Sequence, residues 1–237
     1  MINKENTILL VLILSLYVNI HGQAVVVEHN SGASAMDASI AISTLGMNNF
    51  KTTDLKYDDV KGSPYLEKDI LNGFVTMIDD QRSETVPLQY DIYSNEFFHV
   101  NEKGQEMLID MKLIKEIVLN GKEEDYKFKR INPRKPHKFY EVLYESETLD
   151  IYNDLQINFY EGKEQGITRI DPRFSRDDNY YAQVKGKEPK KIKLKKKDIY
   201  KLFGKEEQKE MDSLSKSQKI KLKKSKDFKK LFGLMQG

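Results

Sequence analysis

The residues whose types and spacing point most directly to binding chemistry are lysines near the C-terminal end of the chain. They form two series: Lys191, Lys193, Lys195, Lys196 and Lys197, and then Lys219, Lys221, Lys223 and Lys224. Ammonium groups at this density can hold an anionic polymer, phospholipid headgroups or nucleic acid. They can equally form a solvated face that keeps the chain in solution or neutralises its acidic residues. We treat these lysines as a candidate site for binding an anionic surface.

Charge is divided unevenly along the chain. The formal net charge is +2, but residues 182–237 carry 19 Lys against 7 acidic residues, a balance of +12. The residues before them carry 20 basic and 30 acidic side chains, a balance of −10. An acidic body with a basic tail predicts either that the two parts attract each other or that the tail binds an anionic partner.

Carboxylates are the second candidate source of chemistry. The chain has three Asp–Asp pairs that lack the spacing of a calcium loop and fit solvated turns better: Asp58–Asp59, Asp79–Asp80 and Asp177–Asp178. A glycosidase needs two buried carboxylates. Glu141 alternates with Phe139 and Leu143 and can therefore face inward, although an exposed strand end is the commoner explanation. We assign no catalytic residue.

Composition argues against several other kinds of site. The chain has no cysteine, which excludes disulfides, thiolate metal sites and a cysteine nucleophile. Its four histidines show no metal-binding spacing. Phosphate-loop patterns and the GxSxG serine motif do not occur. We expect no metal and no cofactor.

The N-terminal segment predicts export. Lys4 precedes a continuous apolar run over residues 7–20, and small residues follow at Gly22 and Ala24. This is the layout of a secretory signal peptide, and the run is short for a membrane span. We assign residues 1–24 to a signal peptide cleaved after Gly22 or Ala24, in preference to a first strand or helix buried in the core. No later apolar run is long, so we expect no transmembrane segment in the mature chain.

Residues 62–185 predict a β-rich domain, which follows a poorly patterned leader over residues 25–61. One segment has a strictly alternating apolar face made of Val86, Leu88, Tyr90 and Ile92, the pattern of a half-buried strand. Short strands joined by turn signals follow it, with a polar loop over residues 161–179. We predict a mainly β fold, an antiparallel meander that forms a barrel or a packed sheet, with short C-terminal helices.

Two segments of the β region predict finer detail. Residues 113–119 fit either a helix or a strand, and the following Asn120–Gly121 favours a strand, because Asn-Gly tolerates the positive φ angles of a hairpin turn. Residues 138–146 read as a strand with apolar residues on both faces. One face carries Phe139, Glu141 and Leu143, and the other carries Tyr140, Val142 and Tyr144.

Residues 186–237 form a basic tail with an internal repeat. KIKLKKKDIYKLFG (residues 191–204) returns as KIKLKKSKDFKKLFG (residues 219–233), with one inserted Ser. Each copy predicts a basic alternating segment followed by a short helix that pairs with the other copy or docks on the β body. Because the apolar spots in the tail are small, we expect the β body to fold without it. Asp198 and Asp227 are the predicted N-terminal caps of the two helices. Gly204 and Gly233 are the predicted left-handed residues at their C-terminal ends.

Four sequence blocks resemble a group of exported Bacteroidota proteins whose function is not characterised. The blocks are GSPYL (residues 62–66), PLQYDIYSNEF (residues 87–97), KFYEVLYES (residues 138–146) and the KKDIYKLF of the tail. The resemblance covers the chain from about residue 60 to its end. It implies a β-rich body with a Lys-rich helical C-terminus and a location in the cell envelope, periplasmic or on the outer membrane. It assigns no functional residue.

Two functional hypotheses remain. The first is an exported, non-catalytic interaction or structural protein of the bacterial cell envelope, whose partner is an envelope protein or an anionic envelope polymer. The second is a hydrolase that acts on envelope polymers through paired carboxylates. Nucleic acid is not an expected partner, because the chain carries an export signal and its tail contains no Arg. A buried acid pair in a cleft would favour the hydrolase.

Overall fold

The computed structural model describes residues 42–43, 60–131, 135, 137–165 and 168–236. This part of the chain is mainly β, with short helices at its C-terminal end, as the sequence predicts. The strands are β1 (Ile42–Ser43), β2 (Leu71–Met77), β3 (Val86–Asp91), β4 (Glu96–Val100), β5 (Glu106–Ile109), β6 (Ile114–Asn120), β7 (Asp125–Lys129), β8 (Tyr140–Glu145), β9 (Leu149–Asp154), β10 (Ile157–Tyr160), β11 (Lys163–Gln165), β12 (Thr168–Ile170), β13 (Arg173–Arg176), β14 (Asn179–Val184) and β15 (Lys190–Ile192). The predicted signal peptide and nearly all of the leader lie outside the described residues.

Eleven of these strands form one antiparallel sheet. Its strand order is β1-β5-β4-β3-β2-β6-β7-β8-β9-β14-β15. Strands β2 to β5 run as a meander in one direction from the middle of the sheet, and strands β6 to β9 run as a second meander in the other. Among the described strands the order has two ends, β1 and β15, so the sheet is open. Of the two predicted forms, the packed sheet is correct and the closed barrel is not.

The hairpin between β6 and β7 forms where Asn120–Gly121 predicts it, but with a different turn. Asn120 pairs with Asp125, so four residues connect the strands. Gly121 does not adopt a positive φ. A Cβ atom at this position would lie 2.3 Å from the Glu124 carbonyl oxygen and 2.8 Å from the Tyr126 ring. Glycine is needed here because the backbone passes close to its neighbours.

Strand β8 departs from strict alternation at a β-bulge. Glu141 pairs with Asn153 and Val142 with Tyr152, but the next pair joins Tyr144 to Ile151, which leaves Leu143 as the extra residue. A bulge shifts the side chains that follow it to the opposite face. The prediction that Tyr144 shares a face with Tyr140 and Val142 is therefore wrong. Tyr144 packs with Ile151 in the core under the helices.

The predicted polar loop over residues 161–179 is wrong, because it contains short strands. Strand β13 pairs with β10 in a small antiparallel sheet, and β11 pairs with β12 in a second one. Strands of three or four residues span too few positions for an alternating pattern to identify them.

A first apolar core is formed by side chains from strands β2 to β7 and from the segments between strands. Its aromatic centre is Tyr90, which stacks on Phe97 at 4.0 Å between ring centroids, while Phe128 contacts both rings edge-on. The other buried members are Leu71, Val75, Leu88, Ile92, Ile109, Met111, Ile114, Ile117, Leu119, Phe139 and Leu155.

Three helices cover the other half of the sheet: α1 (Lys196–Tyr200), α2 (Lys205–Ser217) and α3 (Ser225–Gln236). Together with β8, β9 and β14 they form a second core. The tail contributes more apolar area to it than the sequence suggests. Its buried members from residues 186–237 are Ile199, Phe203, Met211, Leu222, Phe228, Leu231 and Phe232. The sheet itself also continues beyond residue 185, since β15 pairs with β14.

The two copies of the repeat fold differently at their start. In the first copy, Lys191 and Ile192 of KIKL belong to β15, and Lys193 and Leu194 follow the strand. KIKL of the second ends helix α2, because Lys219 adopts a left-handed φ of 53° and the Ile220 N–H donates to the Ser215 carbonyl, a Schellman arrangement. Both copies bury equivalent residues afterwards: Ile199 and Phe203 in the first, Phe228 and Phe232 in the second.

The predicted helix caps are partly wrong. Asp227 caps α3 by accepting hydrogen bonds from the backbone N–H groups of Lys223 and Lys224, whereas Asp198 makes no capping hydrogen bond in α1. Gly204 has an ordinary φ of −67° and begins α2. Gly233 lies inside α3, because that helix continues to Gln236.

Candidate anion-binding surface

The predicted lysine site is exposed and largely without counter-charges. All nine lysines have exposed side chains. Lys196 is paired, with its Nζ 2.6 Å from Asp212 Oδ1. Within the described part of the chain the other eight have no carboxylate oxygen within 4.0 Å: Lys191, Lys193, Lys195, Lys197, Lys219, Lys221, Lys223 and Lys224.

Three of these lysines lie at or just beyond the end of β15: Lys191 is in the strand, and Lys193 and Lys195 follow it. Ile192 and Leu194, which lie between them, pack against the second core. The Lys195 N–H donates to the Lys193 carbonyl oxygen, so the chain turns just after the strand. We call Lys191, Lys193 and Lys195 the lysine row.

The row borders a groove of about 340 Å³ that opens where β14 and β15 separate. The second copy of the repeat adds Lys223, which precedes α3. The groove is lined by Asp178, Asn179, Tyr180, Lys191, Ile192, Lys193, Leu194, Lys195 and Lys223. The structure therefore brings together four of the nine predicted lysines from both copies of the repeat. The other five, Lys196, Lys197, Lys219, Lys221 and Lys224, do not line it.

The groove carries an uncompensated positive charge. Its carboxylate, Asp178, is neutralised by Arg176, whose Nε lies 2.9 Å from both carboxylate oxygens. Burial and the nearby Asp178 carboxylate raise the pKa of Tyr180, so its phenol stays protonated at neutral pH. The four lysine ammonium groups are thus balanced by no other charge in the lining.

A buried polar cluster lies beside the groove, between the two cores. Register places Phe128, Glu141, Asn153 and Tyr180 in one row across the core face of the sheet. Asn153 Nδ2 lies 3.1 Å from Glu141 Oε2 and 3.3 Å from Asp178 Oδ2. The two carboxylates that a hydrolase would need are therefore close together.

Both of these carboxylates are held by cations. Lys229 from α3 donates to Glu141 Oε1 at 3.1 Å, and it also lies 3.8 Å from Glu124 Oε2 and 4.5 Å from the centre of the Tyr126 ring. The side chain of Glu141 is only 5% exposed. Such an arrangement fixes α3 against the sheet.

The sequence allows Glu141 to face inward but favours an exposed strand end, and the favoured expectation is wrong, because Glu141 is 4% exposed. Sequence reasoning missed Asn153 and Lys229. It also places Asp178 in a solvated turn, which is wrong, because the Asp178 side chain is 10% exposed and pairs with Arg176. The repeat contains one signal for Lys229. This lysine follows the buried Phe228 and stands at the position where the first copy has Tyr200, so a position that is aromatic in one copy is charged in the other. Pairing across three strands and a helix, by contrast, has no local pattern in the sequence.

The acidic body neutralises little of the tail. Among the described lysines of residues 186–237, Lys229 is the one within 4.0 Å of carboxylates of the body, namely Glu124 and Glu141. The other ion pairs of the tail join residues within it, such as Lys196–Asp212 and Lys209–Glu206. The charge of the tail therefore remains available to a partner.

The described residues contain no group of three His, Asp or Glu side chains placed to hold a metal ion. Of the three acid pairs, Asp58–Asp59 lies outside them. Asp79 accepts a hydrogen bond from the Gln81 N–H in its own turn, and Asp80 pairs with Lys115 of β6. No helix in the described ranges is long and apolar enough to cross a membrane.

Comparison with known proteins found no matching family model, no matching curated protein and no matching solved structure.

Proposed function

We propose that this protein is an exported, non-catalytic binding module of a bacterial cell envelope, and that its lysine surface holds an anionic envelope polymer. The observation that carries the proposal is the set of eight lysines that have no carboxylate oxygen within 4.0 Å among the described residues, four of which line one groove. Ammonium groups that no internal charge satisfies attract anionic polymers and surfaces by counterion release and simple charge attraction.

Location outside the cytoplasm rests on three features of the sequence. These are the apolar run of residues 7–20 with small residues after it, the absence of cysteine, and the resemblance to exported Bacteroidota proteins. Lipopolysaccharide is a suitable probe, because it presents dense negative charge at the surface of such an envelope.

The test measures binding of the mature chain to immobilised lipopolysaccharide at low and at physiological salt. We expect binding at low salt that weakens as salt rises, because the Debye length is about 8 Å at physiological ionic strength. Each lysine near an anionic surface contributes about 1 kcal/mol. The triple variant Lys193→Gln, Lys195→Gln, Lys223→Gln should therefore bind about a hundredfold more weakly at low salt.

A matched control changes the same amount of charge elsewhere. It replaces three exposed lysines in the connections of the β body that have no carboxylate within 4.0 Å among the described residues: Lys68→Gln, Lys103→Gln and Lys112→Gln. It should bind nearly as well as the unmodified chain. Equal losses in the two variants would mean that net charge alone is responsible, and absence of binding at every salt concentration would refute the proposal.

The hydrolase remains the second candidate because Glu141 and Asp178 meet at Asn153. Two features favour the binding module over it. Each carboxylate already has a cation partner, and Glu141 is buried beneath α3. Release of soluble sugars from envelope polymers by the mature chain, lost in Glu141→Gln while binding persists, would support the hydrolase.

A further inference from the structure

The small sheet formed by β10 and β13 carries an aromatic and polar surface that does not belong to the lysine groove. Register pairs Asn158 with Ser175 and Tyr160 with Arg173. Residues directly opposite each other share a face of a sheet, and so do residues two apart on one strand. These four side chains therefore lie on one face, which we call the outer platform.

The opposite face of this small sheet is turned towards the body of the protein. Phe159 and Phe174 pack on each other with 5.3 Å between their ring centroids, and Tyr93 packs beside them. Phe174 is only 8% exposed, and Ile157 packs against the first core. The outer platform is thus directed away from the core, and the aromatic contacts behind it hold it in place.

The members of the outer platform have binding groups that the protein does not use. Tyr160 is 46% exposed, although the Arg173 guanidinium lies 5.1 Å from the centre of its ring. Arg173 has no carboxylate oxygen within 4.0 Å among the described residues. Asn158 is exposed and Ser175 is half-buried, and neither side chain makes a hydrogen bond within the described part of the chain.

This combination of groups fits an acidic sugar. An exposed aromatic ring offers an apolar surface to the C–H groups of a sugar ring. A guanidinium forms two parallel hydrogen bonds with a carboxylate, which the compact ammonium group of a lysine cannot do. The Asn158 amide and the Ser175 hydroxyl can both donate hydrogen bonds to sugar hydroxyl groups and accept hydrogen bonds from them.

The outer platform also lies near the lysine groove. Arg173 is five residues before Asp178, which lines the groove. Five residues of fully extended chain span at most about 18 Å, so the Cα atoms of these two residues are no further apart than that. A short oligosaccharide can therefore reach from one site to the other.

We propose that the outer platform binds a uronic acid unit of an anionic polysaccharide, with the carboxylate of the sugar against Arg173 and its ring against Tyr160. Neighbouring units of the same polymer contact the lysine groove. The inference rests on the proposed function, because it specifies the chemical class of the polymer. Two sites on one ligand chain strengthen binding, since the second contact forms within the complex.

The test titrates the mature chain with hexagalacturonate and with linear hexaphosphate, an anionic chain without sugar rings, and follows the backbone amide signals by NMR. We expect hexagalacturonate to shift the signals of residues 158–160 and 173–175 as well as those of residues 191–195. Tyr160→Ala should lower the affinity for hexagalacturonate at least fivefold and leave the affinity for hexaphosphate unchanged. Tyr160→Phe keeps the ring and should bind hexagalacturonate like the unmodified chain.

A second pair of variants tests the contribution of Arg173. Arg173→Lys keeps the charge but loses the planar fork, and it should lower the affinity for hexagalacturonate at least threefold. Ile170→Ala removes an exposed apolar side chain from β12 and should leave the affinity unchanged. Unchanged hexagalacturonate affinity in Tyr160→Ala would overturn the inference. Tighter binding of single-stranded DNA than of hexagalacturonate to the platform residues would overturn it in favour of a nucleic acid.

Failure of this inference is distinguishable from failure of the proposed function. Binding of lipopolysaccharide through the lysines, without a shift of the platform signals by hexagalacturonate, would reject the uronic acid site and leave the anionic-polymer module standing. Absence of binding to both probes would reject the two together.

Discussion

Charged residues of the sheet are mostly compensated by neighbours, unlike those of the tail. On β6, β7 and β8, Lys127 and Lys129 both pair with Glu145 and both lie within 3.4 Å of Glu116. Burial alone would raise the pKa of Glu145, but hydrogen bonds from Lys129 and Lys127 more than offset it and lower the pKa to about 2. This carboxylate therefore contributes stability while it is ionised.

The lowered pKa of Glu145 predicts a pH dependence of stability. Its contribution is present above the ordinary pKa of 4.5 and is lost as pH falls from there towards 2. Since the side chain is 33% exposed, solvent screening limits the contribution to about 1 kcal/mol. The free energy of unfolding of the unmodified chain should therefore fall by about that much more between pH 5 and pH 2 than that of Glu145→Gln, as measured by urea denaturation.

The control for this pH series is Glu147→Gln, which removes an exposed carboxylate of the neighbouring turn. Its pH profile should follow that of the unmodified chain. Parallel profiles for the unmodified chain and Glu145→Gln would show that the Lys127–Glu145–Lys129 contacts do not stabilise the fold.

Among the elements, helix α3 depends on one charged contact as well as on apolar packing. Phe228, Leu231 and Phe232 are fully buried, and Phe232 packs on Tyr144 and Phe203. Lys229 then supplies the counter-charge of the buried Glu141. The helix thereby covers the polar pair that interrupts the core-facing row of the sheet.

Replacement of Lys229 should leave Glu141 buried without its cation. Removing one partner of a buried ion pair is strongly destabilising, and we expect Lys229→Met to lower the free energy of unfolding by about 3 kcal/mol. Methionine keeps most of the aliphatic packing, so the loss reports mainly on charge. Chemical denaturation at neutral pH measures it.

Two comparisons identify the cause of that loss. Lys230→Met, at the exposed neighbouring position, should be nearly neutral. Adding Glu141→Gln to Lys229→Met should recover part of the stability, because it removes the uncompensated charge. A Lys229→Met chain as stable as the unmodified one would contradict the role given to this contact.

At the scale of the whole molecule, the tail forms part of the second core. Ile199, Met211, Phe228, Leu231 and Phe232 are fully buried against the sheet or against each other. Burial of each such side chain contributes roughly 1.5–3 kcal/mol, which for the set is on the order of 10 kcal/mol. That is comparable with the whole stability of a typical domain, about 5–15 kcal/mol.

The expectation that the β body folds without the tail is therefore revised. A chain of residues 60–184 would expose the second core, and we expect it to lose the cooperative unfolding transition and to bind the dye ANS. Circular dichroism during thermal unfolding and ANS fluorescence measure the two effects. A single sharp transition with no ANS binding would mean that the sheet is self-sufficient.

The control for the truncation keeps the apolar residues and removes charge. The full chain with Lys219→Gln, Lys221→Gln and Lys224→Gln should unfold at nearly the same temperature as the unmodified chain, since these lysines have no carboxylate partners among the described residues. The tail would thus stabilise the fold through its apolar side chains, while its lysines stay free for a ligand.

Some features of this protein follow from the sequence alone, because they depend on neighbouring residues. Alternation in residues 86–92 predicts a strand with one buried face, and Leu88 and Tyr90 are indeed buried. Asn120–Gly121 predicts a hairpin, and the repeat predicts short helices that pair with each other or dock on the body. The lysine series predicts an exposed cationic surface, since lysine is rarely buried without a partner.

Other features were decided only by tertiary structure, because they depend on residues far apart in the chain. The bulge in β8 turns the Tyr144 side chain into the core under the helices. The stability of that arrangement depends on packing against β9 and the helices, which are distant in the sequence. Lys229 meets Glu141 across 88 residues of chain. The repeated KIKL makes the point most directly. In one copy Lys191 and Ile192 pair with the edge strand β14, while the other copy follows α2 and turns through a left-handed Lys219. The same four residues fold differently because packing partners, and not local preference, supply the larger share of the free energy.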